Sequence, residues 1–323
     1  MLTDIRFLSI ISGVKVFTVS VNPTYYCNFR CDFCYLTPTQ LGDRLKIQIS
    51  TLRKCLDEIS DYTKITHIDL YGGEIAILPP KYLTMLITLL KSYHTPINII
   101  TNYSAPIPQF LDSEVYLTVS YDFDSREKHE LVYNNMLLSE KPIAVLILAS
   151  RKLLKKNVDE MIEELNVCSS IKSVEIKPYS PSQANDHKIL YKEHEEFIIK
   201  WIMSPVKKNF EFINEKLIKA SLTRSGPYYK SAFSDSHVYL TPEGKFGTLE
   251  FDDNDNEYFL EFNKFQEYLK WTETEKERVN KNLYCSKCNY LGSCLSEHLR
   301  DVKDLTYSCN GFKHLLDWYN ERF

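Results

Sequence analysis

Short runs of apolar and β-branched residues alternate with longer segments of helical periodicity between about residue 15 and residue 180. This alternation is typical of strand–helix units repeated around a parallel sheet. Residues 51–62, with Ser50 as the predicted N-cap, and residues 81–93, which follow two prolines, have the helical pattern. Six strands are predicted, at residues 15–21, 66–72, 97–102, 115–122, 142–149 and 173–179.

The six units predict an α/β fold, namely a partial six-stranded (β/α)6 TIM-like barrel. In parallel α/β barrels the loops that leave the carboxyl ends of the strands build the active site, so chemistry is expected at those six positions. After the barrel the sequence predicts helices at 193–202 and 209–221, a hairpin at 237–251 whose turn contains Gly244, and a last amphipathic helix at 311–323.

A chain of 323 residues exceeds the usual size of a single core, so more than one domain is expected. The pattern predicts a barrel over residues 1–185, a helical linker or cap over 186–235, and a cysteine-rich C-terminal domain with the final helix over 236–323.

The composition is that of a globular protein, with 44% hydrophobic and 25% charged residues. No apolar run approaches the length of a membrane span, and the N-terminus lacks the basic region and cleavage site of an export signal. We therefore expect a cytoplasmic protein with no membrane partner. The net charge of −4, with Lys and Arg scattered among acidic residues, argues against a nucleic-acid partner.

Nine cysteines change this picture, because seven of them fall into two tight groups. An odd number of cysteines without an export signal points to metal or redox chemistry instead of a disulfide framework. The other two, Cys55 and Cys168, are expected to be ordinary small buried residues.

The first group, Cys27, Cys31 and Cys34, has the spacing C-x3-C-x2-C in the loop after the first predicted strand. A structural zinc site needs four closed ligands, and no fourth Cys or His lies nearby. A cube of four irons held by three thiolates instead leaves one iron open for a ligand. The spacing therefore favours a reactive iron–sulfur cluster over a zinc site.

This spacing, with the aromatic Phe33 before the third cysteine, resembles the radical S-adenosylmethionine superfamily. The resemblance implies a catalytic 4Fe–4S cluster on Cys27, Cys31 and Cys34, with S-adenosyl-L-methionine chelating the open iron and Phe33 against its adenine. It also implies that an electron from the cluster cleaves the sulfonium and gives a 5′-deoxyadenosyl radical. That radical removes a hydrogen from the substrate.

Further positions match the cofactor site of this superfamily. Gly72, Gly73 and Glu74 follow the second predicted strand, as the family's Gly-Gly-Glu motif does, and glycines let backbone carbonyls approach an ammonium group. Asn102 and Ser120, at the ends of the third and fourth strands, resemble further cofactor contacts. Taken alone, each motif is also consistent with a turn or a cap.

The second group has the spacing C-x2-C-x5-C-x14-C, which can close a cube or a four-thiol zinc knot. It resembles the SPASM/twitch-type extension of radical S-adenosylmethionine enzymes, which implies an auxiliary 4Fe–4S cluster. The family's next cysteine is replaced here by His298, and Leu249 occupies the hairpin position where another would follow. One auxiliary cluster is therefore expected, not two. Its implied ligands are Cys285, Cys288, Cys294 and Cys309.

Enzymes of this layout often mature ribosomally made peptides, by crosslinks that include cyclophanes, by thioether links or by epimerisation. The resemblance implies a precursor peptide as substrate and an external electron donor such as flavodoxin or ferredoxin. No separate leader-binding domain is predicted before the barrel, which weakens the peptide interpretation. A radical dehydrogenase or epimerase acting on a sugar, aminocyclitol or other small molecule is the main alternative, and a non-catalytic electron carrier is another. Asp122, Lys177 and Tyr179 are the candidate catalytic residues, chosen by location alone.

Overall fold

The computed structural model describes residues 16–178, 189–229, 236–249, 259–295, 309 and 312–323. Within these ranges the strands form a single ten-stranded sheet in the order β10-β9-β8-β1-β2-β3-β4-β5-β6-β7. The strands are β1 (Val16–Val21), β2 (Lys64–Leu70), β3 (Ile97–Thr101), β4 (Val115–Ser120), β5 (Ile143–Ala149), β6 (Ile171–Pro178), β7 (Glu211–Phe212), β8 (His237–Leu240), β9 (Phe246–Leu249) and β10 (Phe259–Phe262).

Strands β1 to β6 are parallel and adjacent in chain order, as expected of successive strand–helix units. All six predicted strands are present, each within two residues of the predicted bounds. The predicted α/β partial barrel is therefore confirmed.

One face of this sheet is apolar and fully buried, because alternate residues along each strand point to the same side. In β5, for example, Ile143, Val145 and Ile147 are buried and alternate with half-buried residues. The apolar face packs against the helices in one continuous core. The opposite face is only partly buried and carries the polar strand residues.

The helices between the strands follow the predicted periodicity. They are α1 (Pro38–Gly42), α2 (Ile49–Tyr62), α3 (Pro80–Lys91), α4 (His129–Leu137) and α5 (Val158–Val167). One predicted boundary is wrong: α2 begins at Ile49 with Gln48 as its N-cap, so Ser50 lies inside the first turn. The prolines before α3 act as predicted, with Pro79 at the N-cap and Pro80 in the first turn.

The segment predicted as one helix at 209–221 is divided in the structure. Its first residues form the short edge strand β7, which pairs with β6, and the helix α7 (Ile213–Thr223) starts immediately afterwards. Helix α6 (Tyr191–Met203) precedes it in the chain, and the C-terminal helix α9 (Lys313–Arg322) packs against both α6 and α7. No helix in the described ranges is long and apolar enough to cross a membrane.

The predicted hairpin joins the barrel sheet. Strands β8 and β9 are antiparallel around a turn in which Gly244 has φ of +80°, and β8 pairs in parallel with β1. Helix α8 (Phe265–Lys281) follows β10 and covers the hairpin through Phe265 and Tyr268, which contact Phe17 of β1. The division into domains at residues 185 and 235 stays a prediction.

Candidate functional site

The loop after β1 carries the first three cysteines at the carboxyl edge of the sheet. The amide of Cys27 donates to the carbonyl of Leu41, and the amide of Cys34 donates to the carbonyl of Cys31. The Arg30 guanidinium donates to the carbonyls of Cys27 and Phe29, both at 2.7 Å, and so holds the turn from inside. Cys27 is buried, whereas Cys31 and Cys34 are half-buried.

Burial of the three thiols opposes their ionisation. Burial raises the pKa of Cys27 to about 12 and that of Cys34 to about 11. Burial also raises the pKa of Cys31, and the nearby Arg126 guanidinium opposes that shift. The thiols therefore need a metal cluster, or another source of positive charge, to become thiolates at neutral pH.

The two glycines after β2 touch the backbone that precedes Cys27. The amide of Gly73 donates to the carbonyl of Thr24, and the next amide donates to the carbonyl of Tyr26, both at 2.9 Å. A Cβ atom at Gly72 would lie 2.3 Å from the oxygen of Thr24, and one at Gly73 would lie 2.1 Å from that of Tyr26. Because no side chain fits in these contacts, glycine is required at both positions.

Glu74 is buried at the centre of this edge and accepts three hydrogen bonds. Its Oε1 accepts from the amide of Ala76 at 2.8 Å and from the hydroxyl of Thr101 at 2.6 Å. Its Oε2 accepts from the amide of Asn102 at 2.7 Å. Burial raises the pKa of Glu74, and these donors oppose the shift. These contacts favour a structural role for Glu74, as a hydrogen-bond acceptor.

Asn102, which resembles a cofactor contact by position, links the end of β3 to the cysteine loop. Its Nδ2 donates to Oδ1 of Asn28 at 2.9 Å and lies 4.0 Å from Sγ of Cys27. Its Oδ1 accepts from the amide of Ser104. The structure therefore places Asn102 against the cysteine loop, and the cofactor contacts of Asn102 and Glu74 stay predictions.

A buried ion pair, which sequence reasoning missed in this role, lies on the other side of the loop. Arg126 and Asp122 are joined by contacts of 2.5 Å and 2.7 Å. Nη1 of Arg126 lies 4.0 Å from Sγ of Cys31, and its guanidinium is 5.5 Å from the centre of the Phe33 ring. The only sequence signal for Arg126 is its position shortly after the fourth strand.

This pair changes the interpretation of Asp122 as a catalytic candidate. Its Oδ1 accepts from the amide of Leu148 at 2.5 Å, and its Oδ2 is occupied by Arg126. Burial raises the pKa of Asp122, and the guanidinium opposes the shift. With both oxygens engaged, Asp122 is suited to positioning Arg126 and not to abstracting a proton.

Of the remaining three barrel candidates, two lie in the described ranges and one does not. Ser120 ends β4 and is half-buried on the polar face of the sheet. Lys177, in β6, lines a cavity between that strand and helices α6, α7 and α9, together with Glu175 and His194. Tyr179 lies outside the described residues. The catalytic roles of Lys177 and Tyr179 stay predictions.

The second cysteine group, called the tail cysteines below, comes together beside the end of α8. Its members are Cys285, Cys288, Cys294 and Cys309. Burial, followed by the charges of Cys309, Cys294 and Cys288, raises the pKa of Cys285 to about 11, and Arg278 opposes the shift. Cys285 and Cys288 are in one short turn, whose first amide is capped by Oδ1 of Asn282 at 3.1 Å. His298 and the side chain of Leu249 lie outside the described residues. The expectation of one auxiliary cluster, not two, therefore stays a prediction.

An unpaired polar side chain at the carboxyl edge of the barrel suits a bound cofactor. The amide of Asn22, directly after β1 and beside Gly72, is fully buried, and neither of its side-chain atoms has a hydrogen-bond partner among the described residues. Buried polar atoms of this kind normally have a partner. An unpaired buried amide beside the glycine turn fits a polar cofactor bound over this edge.

The spacing of possible ligands is also informative. In the described ranges, no three Cys, His, Asp or Glu side chains are close enough together to hold a single metal ion. The choice between zinc and an iron–sulfur cube at the two cysteine groups therefore stays a prediction from the sequence.

The fold is similar to that of several solved structures. SuiB of Streptococcus suis bound to S-adenosylmethionine has a TM-score of 0.65 at 14% identity, over 93% of this chain and 77% of that one. anSMEcpe with bound AdoMet and the Cp18Cys peptide has a TM-score of 0.63 at 10% identity, over 95% of this chain and 97% of that one.

SuiB bound to its precursor peptide SuiA matches with a TM-score of 0.51 at 13% identity, over 74% of this chain and 61% of that one. No family model matches the sequence, and no curated protein matches it. The similarity is thus one of fold. It confirms the α/β partial-barrel fold that the sequence predicts.

Proposed function

We propose that this chain is a radical S-adenosylmethionine enzyme that matures a ribosomally made peptide. The observation that carries the proposal is the carboxyl edge of the barrel. There a loop with three cysteines that form no disulfide is packed against two glycines that admit no side chain, beside an unpaired buried amide. The fold is similar to that of two proteins whose structures contain S-adenosylmethionine.

Cys27, Cys31 and Cys34 would hold the catalytic 4Fe–4S cluster. A cluster bound there supplies the electron that cleaves the sulfonium of S-adenosyl-L-methionine and yields a 5′-deoxyadenosyl radical. Arg126 places a desolvated positive charge 4.0 Å from one thiol and so favours the thiolate form that a cluster requires. Glu74 holds the glycine turn against the end of β3, and the unpaired amide of Asn22 is available to the cofactor.

Phe33, Gly72, Gly73, Asn102 and Ser120 remain the proposed cofactor contacts. Phe33 is buried under the Arg126 guanidinium, so its ring is fixed in place for stacking. Gly72 and Gly73 carry their carbonyls on a turn whose amides are already bonded to the cysteine loop. The turn is thereby rigid before any cofactor binds.

The peptide substrate is supported by the structures that share this fold. One contains SuiB with its precursor peptide SuiA, and another contains anSMEcpe with bound AdoMet and the Cp18Cys peptide. Three kinds of reaction begin with removal of a hydrogen atom from a side-chain or backbone carbon. They are crosslinking, which includes cyclophane formation, then thioether formation, and epimerisation. We infer that this chain carries out one of these reactions, with an external donor such as flavodoxin or ferredoxin supplying the electron.

Cys285, Cys288, Cys294 and Cys309 would hold one auxiliary 4Fe–4S cluster. All four are half-buried and form no disulfide, and the charges of the other three raise the pKa of Cys285 after burial does. A cluster with four thiolate ligands has no open iron, so its role would be to conduct an electron or to stabilise the C-terminal region.

Anaerobic reconstitution tests the proposal. We expect about eight irons per chain, four for each cluster, and formation of 5′-deoxyadenosine from S-adenosylmethionine under a strong reductant. Alanine at Cys27, Cys31 and Cys34 together should halve the iron and abolish deoxyadenosine. The matched control is Cys55→Ser, since this free buried cysteine donates to the carbonyl of Gly244, far from either group. About twelve irons would contradict the single auxiliary cluster, and no deoxyadenosine would contradict the function.

A further inference from the structure

The concave face of the barrel sheet carries an unusual row of polar side chains. In closed α/β barrels the interior is a packed apolar core. Here the interior row includes Ser20 of β1, Asp69 of β2 and Asn98 of β3, which are cross-strand neighbours in the sheet. Asp69 and the neighbouring His67 are partly exposed, at 19% and 21%, whereas Ser20 is buried.

Asp69 is the centre of this row. Its Oδ1 accepts from Nδ2 of Asn98 at 2.9 Å and lies 3.1 Å from Nε2 of His67. Oδ1 of Asn98 in turn accepts from the hydroxyl of Thr118 at 2.9 Å. Although burial alone would raise the pKa of Asp69, His67, Asn98 and His237 lower it well below its usual range, so Asp69 is ionised.

The hydrogen bond between His67 and Asp69 has a direct consequence for the imidazole. A carboxylate can only accept, so Nε2 of His67 must carry the proton in the neutral ring. Nδ1 is then the basic nitrogen. Within the described residues, neither Nδ1 of His67 nor Oδ2 of Asp69 has a hydrogen-bond partner, and these two atoms are acceptors.

His237 completes the row from the C-terminal hairpin. Its Nε2 lies 2.7 Å from the hydroxyl of Ser20, and its ring stacks on Tyr239 at 4.7 Å. Asn22, whose amide is unpaired, lies two residues beyond Ser20 at the cofactor edge of the same strand. The groups that face Asp69 are therefore the two histidines and neutral polar side chains, and none is a permanent cation.

We propose that His67 and Asp69 are substrate-contacting residues on the floor of the barrel, which bind a hydrogen-bond-donating side chain of the peptide through Nδ1 and Oδ2. Two adjacent acceptors, one of them anionic, select a hydroxyl, amide or ammonium group and reject a purely apolar side chain. This inference rests on the proposed function and names the class of residue that the enzyme takes into its barrel. Asn98 and Thr118 position the pair and do not touch the substrate.

Asp69→Asn tests whether the site selects hydrogen-bond-donating side chains of the peptide. The substitution keeps the shape of the side chain and can replace the Oδ2 acceptor by a donor. We expect kcat/KM to fall about 100-fold or more, since the substrate donor would face another donor. His67→Gln should also lower kcat/KM. The matched controls are Asp61→Asn in α2 and His94→Gln before β3, both on exposed residues, and they should leave turnover unchanged.

The probe is a random synthetic peptide library incubated with reconstituted enzyme, S-adenosylmethionine and dithionite, and analysed by mass spectrometry. The proposal expects modification next to or at donor-bearing residues, and loss of that preference in Asp69→Asn. Equal modification at apolar residues, or unchanged kcat/KM in both variants at wild-type iron content, would overturn it. If wild-type enzyme forms no deoxyadenosine, the proposed function fails, whatever the variants do.

Nitrogen NMR of histidine-labelled, oxidised enzyme tests the pair without any peptide. We expect the His67 signal, assigned by its loss in His67→Gln, to show the Nε2–H tautomer, and to lose this preference in Asp69→Asn. An Nδ1–H tautomer in the wild type would overturn the proposal even if peptides are modified. A library in which deoxyadenosine forms but no peptide is modified would contradict the peptide substrate class and, with it, this inference.

Discussion

The two cysteine groups differ in how the chain holds them and balances their charge. At the barrel edge, the thiols share their surroundings with the buried ion pair of Arg126 and Asp122, whose side chains are 13% and 1% exposed. In the tail, the nearby cations are Arg278, 29% exposed, and Lys313, 42% exposed. Charge compensation is thus desolvated and fixed at the first site and screened by water at the second. This difference fits a reactive centre in the barrel and an electron-conducting or structural one in the tail.

The largest effect is expected from Gly73→Ala. The added Cβ would lie 2.1 Å from the carbonyl oxygen of Tyr26, so the glycine turn and the cysteine loop cannot both keep their positions. We expect the free energy of unfolding to fall by more than about 4 kcal/mol, with loss of the catalytic cluster. Urea unfolding and iron content measure this. Gly42→Ala, where no atom lies within 4 Å of the added carbon, is the control, and equal losses in both would refute the steric argument.

Removal of Arg126 should have the next largest effect. Arg126→Met leaves the Asp122 carboxylate buried without its partner, which costs about 3–5 kcal/mol in unfolding free energy. The double variant with Asp122→Asn should recover a large part of that loss. A loss of under about 1 kcal/mol in the single variant, measured by denaturant unfolding, would mean that the pair is not desolvated.

A carboxyl group on α6, Glu195, is expected to make the free energy of unfolding depend on pH. Burial raises the pKa of Glu195 from 4.5 to about 7, and its Oε1 accepts one amide, that of Leu315 in α9. Its contribution to stability is therefore complete below about pH 4.5 and is lost as the pH rises through 7. Glu195→Gln should stabilise the protein by about 1–3 kcal/mol at pH 8.5 and much less at pH 5.5. Glu196→Gln, on an exposed neighbour, should show no such trend in unfolding experiments.

The smallest effect is expected at Lys313, the tail counterpart of Arg126. Its ion pair with Asp317 is one helical turn apart and partly exposed, so Lys313→Met should cost under about 1 kcal/mol. Measured in the same unfolding assay, a cost equal to that of Arg126→Met would remove the contrast between the two sites.

The six barrel strands were predictable because each buried face repeats with period two, and residues such as Ile143, Val145 and Ile147 mark it in the sequence. The cysteine loop and the glycine turn were predictable because their spacing is local. The ends of elements were less so: Ser50 lost the N-cap position to Gln48, and Glu211 and Phe212 form an edge strand where a helix was expected. At such ends tertiary pairing overrides local preference.

The partners that complete the site were not predictable, because they meet only through the fold. Arg126 reaches Cys31 across 95 residues, and His237 reaches Ser20 across 217. No spacing within the sequence signals such contacts. Nor does the sequence reveal that Asp122 is tied to Arg126, which is why a location argument alone made it a catalytic candidate.

The parallel pairing of β8 with β1 has a consequence for how the chain is made. Strand β1, which leads directly into the cysteine loop, has one neighbour from residues 64–70 and the other from residues 237–240. During synthesis one side of β1 therefore stays an open edge until residues 237–240 have left the ribosome. We expect C-terminally shortened chains that end before β8 to aggregate, and insertion of iron and sulfide to follow translation instead of accompanying it.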